Sequence, residues 1–355
     1  MSMKPRNLSP QEMFIRIAQG HLPEFRFERF SESFDTWKAS ALPRVLETLG
    51  GVPESVPMNP ELTLEWEDRG VRKRRYLIDV GPHISAVLRV NIPGNLQPGE
   101  KRAALFCWHG HGMFGKASVM GDSGGGEIAS EIKRFNYDYG HQMAVKGFVT
   151  FAIDWMGFGE RNDRLKPHFL STAGDRDWCN LYYLHATMLG MTPLSINLAH
   201  GRVATDFVST LAEVDPERLG VMGMSGGGTM TLWTALTDPR FKAAEIICYS
   251  DLWALFGIRD INYCGSQVAP GLFKLVDLPD LQGLLAPLPL LVNIGAYDEC
   301  FQPANALQCY ERVKTIYGAA RAEDRLHLDL FPGGHAWAGN KSESFFTRYL
   351  TTRTH

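Results

Sequence analysis

Beyond residue 100 the chain repeats one pattern: a continuous apolar run, a turn, then a segment of helical length. AALFCW (103–108), FVTFAID (148–154), RLGVMGM (218–224), AAEIICYS (243–250), PLLVNIG (289–295) and LHLDLF (326–331) are the apolar runs. A strand with one wet face alternates apolar and polar residues, so runs that do not alternate are buried on both faces. That confines the chain to an α/β architecture, a mostly parallel central sheet covered by helices on both sides. Ahead of it, LTLEW, RYLIDV and SAVLRVNI read as further short strands, punctuated by Pro93, Gly94, Pro98 and Gly99. Earlier still, Met13, Phe14 and Ile17, then Phe34, Trp37, Ala41, Val45, Leu46 and Leu49, have helical spacing that stops at Gly50-Gly51. The expectation is a helical N-terminal extension over 1–60 and a single α/β domain over 61–355.

Composition narrows the partners. A chain of 355 residues that is 45% hydrophobic and 21% charged can bury a sizeable core. A formal net charge of −3 points to neither nucleic acid nor an anionic membrane. The opening MSMKPRNLSPQEMF has no apolar core of a secretory signal, and no run approaches the roughly 18 apolar residues of a membrane span. Six scattered cysteines without a C-x-x-C pair read as buried thiols in a reducing compartment. The expectation is a cytoplasmic protein that acts on a small molecule; a homo-oligomer stays open.

Within RLGVMGMSGGGTMTLWTAL, Gly223-Met224-Ser225-Gly226-Gly227-Gly228 sits between an apolar strand and a helix. Glycine is the costliest residue to order, so four around one hydroxyl imply backbone passing very close to something. G-x-S-x-G in that context is a nucleophile elbow, which lifts the serine above the sheet at the N-terminus of the next helix. A phosphate-cradling loop would carry lysine and G-x-x-x-x-G-K-[ST], which this stretch lacks.

A serine is unreactive alone, so an acid and a histidine should follow in chain order. PLLVNIG runs into Asp298 and LHLDLF into Pro332-Gly333-Gly334-His335. Carboxyl ends of parallel strands are where such sheets place ligands. Ser225, Asp298 and His335 are the candidate catalytic residues. Glu299 and Asp251 compete for the acid role, and His327, inside a strand, reads as structural. The oxyanion hole falls to the amides of His111, with Gly112 as alternative, and Gly226: AALFCW runs into His109-Gly110-His111-Gly112. A metal held by His109 and His111 is not expected, because residues two apart on an extended loop face opposite ways. No cofactor-binding residue, metal ligand or cofactor is assigned. The Asp154–Arg161 stretch reads as a tight loop braced by an Arg161 ion pair.

HGHG (109–112), DWMGFGER (154–161), GMSGGG (223–228), APLPLLVNIGAYDE (286–299) and GGH (333–335) together resemble the α/β-hydrolase superfamily. More narrowly they resemble its dienelactone hydrolase and acetyl xylan esterase-like branch. The resemblance extends to Trp37 and to VDPERLGVMG, and runs from about residue 35 to 350. It implies the α/β-hydrolase fold and cofactor-free hydrolysis of short-acyl carboxylic esters. It carries the triad onto Ser225, Asp298 and His335 and the oxyanion amides onto His111 and Gly226. There are departures: dienelactone hydrolases use a cysteine nucleophile, and acetyl xylan esterases are often exported. The alternative is a serine peptidase of the prolyl oligopeptidase type, which shares G-x-S-x-G-G but normally adds a propeller domain. Phe169, Trp178, Tyr182 and Tyr183, in the 161–196 insertion, and the 252–285 segment are expected to shape the pocket.

Overall fold

The computed structural model describes residues 6–122, 124–163 and 178–351. All nine runs form strands: β1 (Glu61–Asp68), β2 (Val71–Gly81), β3 (Ile84–Pro93), β4 (Arg102–Trp108), β5 (Val149–Ile153), β6 (Val214–Met224), β7 (Phe241–Ile247), β8 (Leu290–Gly295) and β9 (Leu326–Phe331). They make one sheet in the order β1-β2-β3-β5-β4-β6-β7-β8-β9. From β5 to β9 every pairing is parallel, while β1, β2 and β3 pair antiparallel and β3 meets β5 antiparallel. This is the α/β-hydrolase fold, a large, mostly parallel sheet flanked by helices.

β5 and β8 are buried along their whole length, as runs without alternation require. The pleat sends successive side chains to opposite faces. Phe106 and Trp108 join a core with Phe151, Trp233 and Trp37, while Leu105 and Cys107 join a second with Met222, Leu291 and Phe346. β1 forms the exposed edge, with Glu61, Glu65, Glu67 and Asp68 along it, a charged border that discourages pairing with another chain.

Both N-terminal helices form, Pro10–Gly20 and Phe34–Glu47. The second contributes Trp37, Ala41 and Val45 to the core, and Gly50 ends the segment with φ +75°. In the first, Met13, Phe14 and Ile17 are exposed, and the helix is tied down through Ala18 and a Gln11 Nε2 bond to the Ile258 carbonyl (2.6 Å). Among the described residues no helix is long and apolar enough to cross a membrane. The parallel strands bring residues after β4, β5, β6, β7, β8 and β9 to one rim of the sheet.

Candidate active site

Ser225 directly follows β6 with φ +58° and ψ −121°, a region that L-residues occupy only at a cost of order 1–3 kcal/mol. Three backbone bonds hold it there: its N–H donates to the Ile247 carbonyl (2.8 Å), and its carbonyl accepts from Gly228 N (2.7 Å) and Thr229 N (3.3 Å). The glycines follow from crowding. A Cβ on Gly223 would lie 2.4 Å from the Gly227 carbonyl oxygen, and one on Gly227 2.3 Å from that of Trp108. The helix Gly226–Thr237 starts directly at the serine, with its free N–H groups and positive dipole end turned toward the hydroxyl's surroundings.

The loop after β4 lies against this elbow. A methyl on Gly110 would stand 3.3 Å from Ser225 Cβ, and one on Gly226 2.8 Å from His111 Nδ1. Gly110 N donates to the Tyr137 hydroxyl (2.5 Å), while Glu131 accepts from Met113 N (3.2 Å) and Ser118 Oγ (2.6 Å). The amides of His111 and Gly226 therefore belong to two segments packed together beside the hydroxyl. His109 is buried, and burial, against the opposing pull of Asp154, lowers its pKa to about 4, so it is neutral. Its Nδ1 accepts from the Trp155 indole (2.7 Å). The His109 and His111 rings do not diverge as expected. The chain bends at His111, and both rings pack on Trp155 and Phe158.

Asp298 and His335 meet where β8 and β9 end: His335 Nδ1 lies 2.9 Å from Asp298 Oδ2. The other carboxylate oxygen accepts from Cys300 N (2.7 Å) and Phe301 N (3.0 Å). Burial alone would raise the Asp298 pKa, but His335 and the two amides outweigh it and hold the group below the usual carboxylate range. The His335 ring stacks on Phe301 (5.8 Å between centroids, 17°). The histidine loop is seated by Tyr297 N donating to the Gly333 carbonyl (2.9 Å). Further along it, the Trp337 indole donates to Glu245 (3.2 Å), a wholly buried carboxyl whose pKa burial raises to about 7.

His335 Nδ1 bonds Asp298 and neither rival acid. Asp251 accepts from Leu252 N (2.7 Å), and burial raises its pKa to about 6. Glu299 is exposed, and His327 bonds the Tyr349 hydroxyl (2.9 Å) inside β9. Among the described residues, the ion pairs of the Asp154–Arg161 loop come from two unforeseen residues, Lys116 and Arg75. Buried Lys116 Nζ meets Asp154 (2.6 Å) and Glu160 (2.7 Å). Arg161 instead donates to the Asp154 carbonyl (3.0 Å) and to His200 Nδ1 (2.9 Å). The helix Trp178–Met188 packs on this loop, with Tyr182 and Trp178 beside Gly157; Phe169 lies outside the described residues.

Among the described residues, two groups of side chains converge at ligand-like spacing. Cys248, at φ +49° after β7, has its Sγ within 4.8 Å of the Asp298 and His335 donor atoms, and His111 gathers Cys179 and Cys264 in the same way. Neither group is visible in the sequence, because its members come from separate strand ends and loops.

Residues 202–351, which contain Ser225, Asp298 and His335, match the prolyl oligopeptidase family. YtaP of Bacillus subtilis, which carries a hydrolase designation, is 26% identical over 305 residues, 84% of this chain and 94% of that protein. A Bacteroides fragilis crystal structure designated an acetyl xylan esterase is 18% identical with a TM-score of 0.70, covering 93% of this chain and 85% of that one. A glucuronoyl esterase from Teredinibacter turnerae is also 18% identical, with a TM-score of 0.63 and coverage of 93% and 90%. Acetyl xylan esterase 1 from Thermoanaerobacterium is 17% identical, with a TM-score of 0.53 and coverage of 96% and 99%. These structural neighbours share the α/β-hydrolase fold that the nine-stranded sheet of this chain shows.

Proposed function

We propose that this chain is a serine esterase that cleaves carboxylic esters with short, acetyl-type acyl groups through an acyl-enzyme on Ser225. The observation that carries the reading is the strained Ser225 at a helix N-terminus, on the sheet rim that also bears the His335–Asp298 pair. With Nδ1 turned to Asp298, Nε2 is the nitrogen left to take the Ser225 proton as Oγ attacks the ester carbonyl. Asp298 holds that tautomer and stabilises the imidazolium. The His111 and Gly226 amides bind the tetrahedral oxyanion, each contributing roughly 3 kcal/mol. His335 then protonates the leaving alcohol and activates the water that releases the acid. No step draws on a cofactor.

Named esterases among the structural neighbours support ester chemistry, and two of them are acetyl esterases. Six scattered cysteines without a C-x-x-C pair fit a reducing cytoplasm. The acyl preference rests on Trp178 and Tyr182, rigid rings packed beside the loop that carries Trp155 and Phe158 next to His111. An open apolar channel would gain up to about 0.8 kcal/mol per methylene. A closed pocket makes kcat/KM fall steeply from acetyl through butyryl to octanoyl nitrophenyl esters. Activity that rises beyond butyryl would overturn the short-acyl reading.

A serine peptidase is the second reading, favoured by the family match over residues 202–351. Turnover of a proline-containing peptide amide, with no turnover of acetyl esters, would replace the first reading with this one.

A further inference from the structure

The oxyanion loop makes a contact that ester hydrolysis does not need. His111 Nε2 lies 3.0 Å from Cys264 Sγ, and Cys179 Sγ completes a group whose three donor atoms all lie within 4.8 Å of one another. We propose that His111, Cys179 and Cys264 form a site for a thiophilic divalent cation, zinc by preference, which ties the oxyanion loop to the two segments that cover it.

The donor set is the first argument. Two thiolates and an imidazole suit zinc, a borderline-soft ion, and three protein ligands leave a fourth position for water or another small ligand. Zinc–sulfur bonds of about 2.3 Å and zinc–nitrogen bonds of about 2.0–2.1 Å put tetrahedral donors roughly 3.5–3.8 Å apart. The present donors bracket that spacing: His111 Nε2 and Cys264 Sγ are 3.0 Å apart, and all three donor atoms lie within 4.8 Å of one another.

The scaffold is the second argument. Cys179 stands in the first turn of the Trp178–Met188 helix, and Cys264 directly precedes the 3₁₀ turn Gly265–Gln267. Contacts that involve no metal lock these segments together. Gly265 N donates to Asn180 Oδ1 (2.9 Å), and a Cβ on Gly265 would lie 2.5 Å from Tyr183 Cβ and 3.0 Å from the Cys179 carbonyl oxygen. Gln267 directs its amide at Cys264 Sγ (3.7 Å) while its carbonyl accepts from Thr229 Oγ1 (2.6 Å), on the helix that begins at Ser225. That bond to sulfur is the kind of outer support that orients a metal ligand. Burial is graded: Cys179 is buried, Cys264 half-buried and His111 exposed, so an ion can enter from the His111 side.

Binding is non-redox. Each thiol loses one proton to solvent, each sulfur supplies an electron pair, and the neutral imidazole gives its Nε2 lone pair. The site stands on these contacts independently of the role given to Ser225.

The test is cobalt titration of the full-length protein after reduction and chelator treatment. The expected result is one cobalt per chain with a thiolate-to-cobalt charge-transfer band. Zinc should displace it and raise the melting temperature. Cys179→Ser, Cys264→Ser and His111→Gln should each weaken binding by more than the roughly 10- to 100-fold typical of outer-shell changes. Cys300→Ser, at an exposed cysteine that is not one of the three donors, should keep the band. Melting curves and circular dichroism separate a lost ligand from a lost fold. The proposal is overturned if the reduced wild type shows no band, or if the band survives in the folded Cys179 and Cys264 variants. A Cys179–Cys264 disulfide in the native protein, with no cobalt binding after its reduction, overturns it equally.

Discussion

His335 Nδ1 stands 2.9 Å from Asp298 Oδ2, and that contact joins the loops leaving two neighbouring parallel strands, β8 and β9. Both partners are held from elsewhere, the carboxylate by the Cys300 and Phe301 amides and the ring by stacking on Phe301. The geometry is therefore fixed before any substrate arrives, which is what orientation by a triad acid requires.

Asp298→Asn should leave the fold intact and lower kcat for an acetyl ester on the order of 10⁴-fold, because the amide favours the wrong tautomer. Asp251→Asn should stay within a few-fold of wild type, since that carboxylate faces Leu252 N. Steady-state kinetics on both variants decides the acid, and a reversed order would assign it to Asp251.

Lys116 and Asp154 are both buried and 2.6 Å apart. Burial alone would raise the Asp154 pKa, yet Lys116 and its neighbours lower it, so the carboxylate is charged. Lys116→Met would leave that charge uncompensated, and should cost roughly 3–5 kcal/mol in denaturant unfolding. Lys116→Met with Asp154→Asn should recover part of the loss, a coupling that a double-mutant cycle measures. A loss under about 1 kcal/mol in the single variant would mean that the loop is held by other contacts.

The elbow was legible because its determinants are local. Apolar β6, the glycines around Ser225 and the apolar helix after it are contiguous, and each strand end leading to Asp298 and His335 is announced by its own run. Pairings across distance were not. Nothing around Lys116 marks it as buried against a carboxylate 38 positions on, and the local sequence points to nearby Arg161 instead. The His111, Cys179 and Cys264 donors come from three segments that only the folded sheet brings together. In the first helix the periodicity of Met13, Phe14 and Ile17 signals a helix, but it does not say whether a partner covers the face.

Glu245 gives a pH signature. Its pKa rises from the ordinary 4.5 to about 7 through burial, which outweighs hydrogen bonds from Ser342, Trp337 and Asn293. The folded chain therefore binds a proton more tightly than the unfolded one. This group's contribution to stability falls as pH rises from about 4.5 to 7, by on the order of 3 kcal/mol. Glu245→Gln keeps an acceptor for the same three donors and removes the titration. Its unfolding free energy minus that of wild type should become more favourable across that window and level off above it. Urea unfolding over a pH series checks this, and a pH-independent difference would contradict it.

The most direct test of the account is covalent capture of the nucleophile. Wild-type protein treated with a fluorophosphonate should gain one adduct, mapped by peptide mass spectrometry to Ser225, and lose its esterase activity in proportion. Ser225→Ala should melt like wild type, take up no label, and lose activity by several orders of magnitude. An adduct on another residue, or an alanine variant that still turns over acetyl esters at the wild-type rate, would contradict the assignment of this chain as an esterase acting through Ser225.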